Sequence, residues 1–160
     1  LGASSLFAEQ ILERIAFSLG IDREDFYRLK SRSLCISSDL GHGFHPNFSD
    51  KYDLPNTPLL GKGAIVKWSA NQKYATTSAT AAMIEALAEK RGIALQKFAS
   101  RSDIPSGSTV GPIMATNLGI ATVDVGIACW AMHSARETIA AKDALALCEL
   151  LKRSLEEPLE

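Results

Sequence analysis

The stretch IMATNLGIATVDVGIACWAM, residues 113–132, is almost free of charge over a length that could span a bilayer. Pro112 precedes it, and Asp124 interrupts it together with an asparagine and two glycines. The run therefore separates into a short helix that ends at Gly119 and a β-rich segment, IATVDVG, at residues 120–126. We interpret this segment as a buried strand flanked by loops and not as part of a membrane span.

Outward from this strand, helical and strand patterns alternate along the chain. Apolar residues recur every four positions from Phe7 to Leu19, which is typical of an amphipathic helix. Ser134 and Glu137 have the spacing of a capping box that would start the last helix. The predicted helices cover residues 5–19, 22–30, 77–92, 112–119 and 134–155, and the predicted strands cover residues 33–37, 64–68, 93–99 and 120–126. This alternation predicts an α/β layer with helices on both faces of a sheet.

The composition is that of an ordinary globular domain, with 46% hydrophobic and 22% charged residues in a chain of 160. The net charge of −1 and the lack of a basic run argue against a nucleic-acid partner and against an anionic membrane. A peptide or small-molecule substrate is therefore expected. The three cysteines have no paired spacing and are interpreted as buried thiols of a reducing compartment. With no signal-peptide pattern in view, these features predict a cytoplasmic protein.

A long loop, residues 39–63, follows a predicted strand and opens with DLGHGFHPN. In α/β sheets, ligands collect beyond the carboxyl ends of strands, and His133 follows another predicted strand. Asp39, His42 and His45 offer carboxylate and imidazole groups, which are zinc ligands, and a divalent ion can lower the pKa of a bound water to about 7. The spacing alone slightly favours the alternative, a turn whose histidines bond backbone carbonyls.

The loop DIPSGSTVGP, residues 103–112, is a second candidate site. Glycines beside hydroxyl groups ahead of a short helix let backbone N–H groups converge on an anion or a carbonyl oxygen. A plain connection between two elements explains the same pattern equally well. Because no G-x-S-x-G or Walker motif is present, neither Ser106 nor Ser108 is expected to be an activated nucleophile.

Lys67 lies inside a predicted apolar strand, between Val66 and Trp68. Such a lysine either extends to the surface, which is the commoner outcome, or points into a pocket as the counter-charge of an acidic ligand. Tyr74 follows in NQKYATT and could offer its hydroxyl nearby. Taken alone, Lys67 and Tyr74 are interpreted as surface residues.

Four segments together resemble the aspartyl aminopeptidases, zinc-dependent exopeptidases that remove acidic residues from peptide N-termini. The segments are ISSDLGHGFHPN, GKGAIVKWSANQKYAT, SDIPSGSTVGPI and AMHSARE, and they stand in the family's order at similar separations. Four motifs in order are far more specific than any one of them. The resemblance runs over the chain from Gly2 onward.

This resemblance implies a three-layer αβα sandwich, the zinc-exopeptidase catalytic domain of the phosphorylase/hydrolase-like fold. It also implies two zinc ions, or other divalent metals in their place, and an activated water as nucleophile. Asp39 is similar to a terminal ligand of one metal and His133 to a ligand of the other. His42 resembles the catalytic histidine that lies beside the substrate and helps to polarise the scissile carbonyl, and His45 is expected to shape the loop.

The resemblance further implies a set of substrate contacts. Lys67 is similar to the pocket lysine that pairs with the acidic side chain of the substrate, and Tyr74 to a nearby contact. Gly107 and Ser108 would present backbone groups to the bound peptide. The expected partners are peptides with an acidic N-terminal residue and further copies of the same protein in a homo-oligomer.

The family's other ligands have no counterpart in the chain. In the family, a histidine ligand, a metal-bridging aspartate and a pair of glutamates lie N-terminal to the matched region. The GASS at residues 2–5 resembles the segment just after that pair, whereas Glu156 and Glu157 do not match it. Residues 1–160 are therefore expected to be the C-terminal portion of a single metallopeptidase catalytic domain, without its upstream part and dimerisation domain, and to be inactive alone.

The sequence thus predicts a zinc-dependent aspartyl aminopeptidase that hydrolyses N-terminal Asp or Glu residues from peptides, present here as an incomplete chain. Two alternatives stay open. One is a non-catalytic member of the same fold, kept as a scaffold or oligomer partner. The other is a metal-free small-molecule binding domain that uses the loop at residues 103–112.

Overall fold

A computed structural model of the chain describes residues 2–158. Its helices are α1 (Phe7–Ser18), α2 (Arg23–Ser31), α3 (Ser78–Arg91), α4 (Gly111–Leu118) and α5 (Ala141–Glu156). Its strands are β1 (Leu34–Ser38), β2 (Gly41–His42), β3 (Ala64–Trp68), β4 (Leu95–Ala99), β5 (Ala121–Trp130) and β6 (Thr138–Ile139). Short 3₁₀ helices cover Gly2–Ser4, Pro46–Lys51 and Leu54–Asn56. Each predicted element has a counterpart in this order.

The strand at the centre of the sheet is β5. It pairs with β1 in parallel and with β3 antiparallel, and β3 pairs with β4 in parallel, so the sheet is mixed. The strand continues four residues beyond the predicted end at Gly126, because its last residues pair with the short strands β2 and β6. The apolar stretch at residues 113–132 is therefore divided between α4 and β5, as predicted. Within residues 2–158, no helix is long and apolar enough to cross a membrane.

Helices cover both faces of this sheet. On one face, Val66, Val123 and Val125 pack against Ile84 of α3 and Leu150 of α5, and all five side chains are buried. Full burial of one such side chain contributes roughly 1.5–3 kcal/mol. On the opposite face, α4 packs against β1 and β5, and α1 packs against α4. The three-layer αβα architecture is confirmed.

Side-chain caps set the start of two helices. The carboxylate of Asp22, the N-cap residue of α2, accepts a hydrogen bond from the backbone N–H of Asp25 at 2.9 Å. The side chains of Thr77 and Thr80 form a reciprocal capping box at the start of α3. These local bonds explain why the predicted boundaries of both helices agree with the structure.

The prediction that a helix starts at Ser134 is wrong, because α5 begins only after β6. The hydroxyl of Ser134 accepts a hydrogen bond from the backbone N–H of Arg136 at 3.0 Å. The carboxylate of Glu137 accepts one from the backbone N–H of His133, one residue before the position that a capping box requires. The two side chains therefore close a turn that leads into β6.

Two smaller expectations also need correction. Cys129 is buried in β5 and Cys35 is half-buried, but Cys148 is exposed on the solvent side of α5 and is not a buried thiol. The loop at residues 39–63 is not irregular throughout, because β2 and two 3₁₀ helices lie within it. The short strand β2 matters for the site, since it carries His42.

Candidate functional site

A cavity of about 510 Å³ gathers the segments that follow β1, β3, β4 and β5. Six of the seven predicted site residues line it, although they come from distant parts of the chain. These residues are Asp39, His42, Tyr74, Gly107, Ser108 and His133. The two candidate sites that the sequence offered, the DLGHGFHPN segment and the loop at residues 103–112, are thus two sides of one cavity.

Asp39 reaches the cavity because its backbone lies against the central strand. Its N–H donates to the carbonyl oxygen of Val125 at 3.1 Å. A Cβ at Gly126 would overlap the carbonyl oxygen of Asp39, so only glycine permits this approach. The Asp39 side chain is 60% exposed, and its Oδ1 accepts a hydrogen bond from the N–H of Leu40 at 2.7 Å. This arrangement leaves Oδ2 available to coordinate a metal ion or to accept a hydrogen bond from a bound molecule.

His133 lies in a turn with left-handed backbone just after β5. Its φ is +67°, and Ala131 has a φ of +54°. Such a conformation in a non-glycine residue costs about 1–3 kcal/mol and persists only where the surrounding structure holds it. The carboxylate of Glu137, which accepts from the His133 N–H, and a hydrogen bond from the Ser134 N–H to the Ala131 carbonyl at 3.0 Å hold this turn. Strain maintained in this way is common at functional sites.

His42 lies on β2, where it pairs in register with Cys129 of the central strand. Burial lowers the pKa of the His42 imidazole, and the nearby charges of His133 and Lys67 lower it further. The ring therefore stays neutral to a lower pH than an exposed histidine. A neutral imidazole beside the cavity can donate or accept one hydrogen bond to a bound ligand.

Lys67 is the predicted site residue that does not line the cavity. Its side chain is only 1% exposed, so the expectation of a surface lysine is wrong. Nζ donates to the carbonyl oxygen of Leu40 at 2.8 Å and lies 3.9 Å from Oδ2 of Asp39. Burial lowers the pKa of the Lys67 ammonium, and the charges of Asp39 and Asp124 oppose this shift. The ammonium group thus lies directly behind the part of the cavity wall that Asp39 and Leu40 form.

Tyr74 and the loop at residues 103–112 form another part of the wall. Tyr74 is buried, contrary to the expectation of a surface residue, and its ring packs against Phe98 with the centroids 6.0 Å apart. The ammonium group of Lys67 lies 5.7 Å from the centroid of the same ring. Burial raises the pKa of the Tyr74 hydroxyl. The Ser108 hydroxyl donates to the carbonyl oxygen of Lys73 at 3.3 Å, which joins the loop to the Tyr74 segment.

His45 has the loop-shaping role that the sequence predicts. Its Nδ1 accepts a hydrogen bond from the N–H of Asn47 at 3.3 Å at the start of a 3₁₀ helix. Its ring lies 5.6 Å from the ring of Trp130, whose Nε1–H donates to the carbonyl oxygen of Phe44 at 2.8 Å. His45 is not among the residues that line the cavity.

The cavity offers donor atoms that zinc accepts, but in the described part of the chain there are too few of them. Asp39 supplies a carboxylate oxygen, and His133 supplies an imidazole. Among residues 2–158, no three His, Cys, Asp or Glu side chains lie close enough together to hold a metal ion. Catalytic zinc sites have three protein ligands. The donors therefore fit zinc in kind, and further ligands would have to come from outside these residues.

Sequence reasoning missed two residues that support the site. Asp124 interrupts an apolar run, and it is fully buried. A carboxylate at the centre of a buried strand indicates that polar partners must lie around it. Glu137 was assigned to a capping box, whereas its carboxylate bonds the backbone of His133. The S-x-x-E spacing alone cannot distinguish the helix start from the turn.

A mixed sheet between helix layers, with a carboxylate and imidazoles beside one cavity, defines an α/β protein whose site suits hydrolytic chemistry. The chain belongs to the M18 peptidase family, since the family profile described as "Aminopeptidase I zinc metalloprotease (M18)" matches residues 1–153. A "Probable M18 family aminopeptidase 2" from Borreliella burgdorferi is 42% identical over 155 residues, which cover 97% of this chain and 37% of that protein.

Solved structures agree with this assignment. A chain in the cryo-EM structure of the Ape4 and Nbr1 complex is 36% identical with a TM-score of 0.88, over 99% of this chain and 31% of that one. The S. cerevisiae mApe1 dodecamer is 27% identical with a TM-score of 0.83, over 98% of this chain and 34% of that one. The chain thus spans about a third of the length of these proteins. The matches give no support for its placement in the C-terminal portion of the family domain, which remains an untested prediction.

Proposed function

We propose that this chain is part of a metal-dependent aminopeptidase that removes acidic residues from peptide N-termini. The convergence of six predicted site residues on one cavity carries this proposal. These residues come from separate segments of the chain, so their presence around one cavity supports a shared site more strongly than any single motif does. Membership of a zinc metalloprotease family supports the proposed metal dependence.

In this proposal, Asp39 and His133 each supply one ligand of a two-zinc centre, and the other ligands come from outside the described residues. A bound divalent ion would supply Lewis-acid chemistry and an acidified water. The residues of this chain would position the substrate around it. The neutral His42 imidazole would face the scissile carbonyl, and the loop with Gly107 and Ser108 would hold the peptide backbone.

Selection for an acidic side chain would depend on positive charge near the cavity wall. Lys67 supplies such a charge, and its ammonium group lies behind Leu40 and below the Tyr74 ring. A buried cation acts over a longer range than a solvated one because less water screens it. The proposed selectivity therefore depends on the electrostatic attraction between the Lys67 ammonium and the acidic side chain of the substrate. Direct contact between these two groups would require the Asp39–Leu40 segment to move aside.

We also propose that the whole protein assembles into a homo-oligomer. Several large apolar side chains of α1 are exposed, among them Phe7, Leu12 and Ile15. Large exposed apolar patches mark interaction surfaces in soluble proteins. The relative mApe1 is described as a dodecamer, which makes further copies of the protein a reasonable occupant.

The intact protein tests the proposal directly. It should release the first residue from Asp- and Glu-initiated peptides, lose activity after dialysis against a chelator and regain it with zinc. Peptides that begin with leucine or alanine should be cleaved much more slowly. No hydrolysis of any peptide by metal-loaded protein would favour the non-catalytic scaffold. Ligand binding that is indifferent to the chelator would favour the metal-free binding domain.

A further inference from the structure

Asp124 lies at the centre of β5 with no solvent exposure. A buried carboxylate is costly unless partners compensate it. Its Oδ2 accepts a hydrogen bond from the N–H of Ala75 at 2.6 Å, and its own backbone N–H donates to the hydroxyl of Thr76 at 2.9 Å. Two bonds from one residue therefore fix the segment that directly follows Tyr74. In the described part of the chain, the Asp124 Oδ1 atom has no hydrogen-bond partner.

The start of α4 also packs directly on this carboxylate. A Cβ at Gly111, the first residue of α4, would overlap the side-chain oxygens of Asp124. The backbone N–H groups at a helix start carry partial positive charge, which favours a nearby carboxylate. Because α4 follows the loop with Gly107 and Ser108, the contact places the end of that loop relative to the sheet.

The pairing of β3 with β5 ends one residue before Asp124. In this antiparallel pairing, Ile65 lies opposite Gly126 and Val66 opposite Val125. The backbone N–H of Asp124 donates to the Thr76 hydroxyl. The segment after Tyr74 thus lies against β5 at the residue where its pairing with β3 has ended.

From these contacts we infer that Asp124 is a positioning residue of the cavity. Its carboxylate and its backbone N–H hold the segment that follows Tyr74, and its carboxylate also contacts the start of α4 beneath the wall. The inference rests on the proposed function only for its kinetic test, which measures the hydrolysis of a substrate. It goes beyond that function because Asp124 does not line the cavity.

Asp143 provides a matched control within the same chain. It is also fully buried, and its carboxylate accepts hydrogen bonds from the N–H groups of Gly61 at 2.6 Å and Gly63 at 2.7 Å. It does not line the cavity. Replacement of either aspartate by asparagine keeps an acceptor oxygen and removes the charge, so both variants should share any unspecific loss of stability. Only Asp124 is expected to affect the Tyr74 segment.

The first test is the rate at which tetranitromethane nitrates Tyr74 in the intact protein, followed by peptide mass spectrometry. Exchange of a hydrogen bond to a charged acceptor for one to a neutral acceptor costs about 1 kcal/mol, which corresponds to roughly fivefold in an equilibrium. Asp124→Asn should therefore raise the nitration rate of Tyr74 about fivefold, with Tyr52 as the internal reference, and Asp143→Asn should leave it unchanged. Equal rates in both variants would overturn the inference, whether or not the protein is a peptidase.

The second test is kinetic and depends on the proposed function. Asp124→Asn should raise KM for acidic N-terminal substrates about tenfold while kcat changes less, and Asp143→Asn should not show this split. If Asp124→Asn does not fold, Thr76→Val removes only the bond to the Asp124 N–H and should raise Tyr74 nitration in the same direction. Unchanged nitration in a folded Thr76→Val protein would also count against the inference.

Discussion

The ammonium group of Lys67 lies 3.9 Å from Oδ2 of Asp39, yet Lys67 is 1% exposed and the Asp39 side chain is 60% exposed. A buried cation thus lies behind a carboxylate that faces the cavity. Lys67 is held there by the carbonyl oxygen of Leu40, and burial lowers its pKa. The pair thus gives the cavity wall a negatively charged outer group, the Asp39 carboxylate, and a positively charged inner group, the Lys67 ammonium.

Lys67→Met should reduce kcat/KM of the intact protein for acidic N-terminal residues by about 100-fold, and for neutral ones by less than about threefold. Methionine has a similar length, so packing is largely kept while the charge is lost. Two unit charges about 6 Å apart at an effective dielectric constant of about 20 interact by roughly 3 kcal/mol, and loss of this interaction through the wall is the basis of the expected effect. The measurement is steady-state hydrolysis of matched Asp- and Ala-initiated peptides.

A control for this substitution is Lys97→Met on the neighbouring strand β4, where Lys97 forms an exposed pair with Glu85 at 3.2 Å. Exposed pairs of this kind contribute about 0–1 kcal/mol. Lys97→Met should leave the substrate preference unchanged. An equal loss on acidic and neutral peptides in Lys67→Met would show that Lys67 supports the fold without selecting the substrate.

His133→Ala should lower the zinc content of the intact protein, because the proposed centre would lose one of its ligands. Removal of a metal-site residue outside the direct ligand set typically costs 10–100-fold in affinity, so loss of a ligand should cost at least about that much. Elemental analysis after dialysis at limiting zinc measures the change. His45→Ala is the matched control, since His45 caps a 3₁₀ helix and does not line the cavity. Equal zinc content in the two variants would contradict the ligand role of His133.

Much of the fold could be predicted from local signals. The apolar periodicity of α1, the Asp22 cap of α2 and the β-rich run of β5 act within a few residues, so the sequence shows them directly. Lys67 could not be placed in the same way. Its burial depends on the Leu40 carbonyl and on Asp39, which reach it only after β1 and β3 have both paired with β5.

The candidate site shows the same division between local and long-range information. The DLGHGFHPN segment alone left Asp39 and His42 open between a ligand site and a turn, and its resemblance to a family motif, together with three other motifs, selected them as site residues. Both line the cavity. Asp124 was not recognised, since its partners Ala75 and Thr76 lie far away in the chain. A motif shows which side chains are available, and the residues that hold them in place become visible only in three dimensions.

His42 should make stability depend on pH in metal-free protein. Burial lowers its folded-state pKa below the ordinary value of 6.5, so the unfolded chain binds this proton first as pH falls. The stability from His42 is complete above about pH 6.5 and is lost as pH falls through that value towards the lower folded pKa. Melting temperatures of chelator-treated protein at several pH values should therefore fall less steeply on acidification in His42→Gln than in wild type. Parallel curves would contradict the expected shift.

Gly126→Ala should destabilise the protein and displace Asp39, because the added Cβ would overlap the Asp39 carbonyl oxygen. Overpacking of this kind typically costs about 1–3 kcal/mol, and backbone atoms relax less readily than side chains. Gly107→Ala is the control, since no atom lies within 4 Å of the position that its Cβ would occupy. Thermal melting of the intact variants should show a lower midpoint for Gly126→Ala only, together with a reduced zinc content. A melting midpoint equal to that of Gly107→Ala would mean that β5 and the Asp39 segment are not in such close contact.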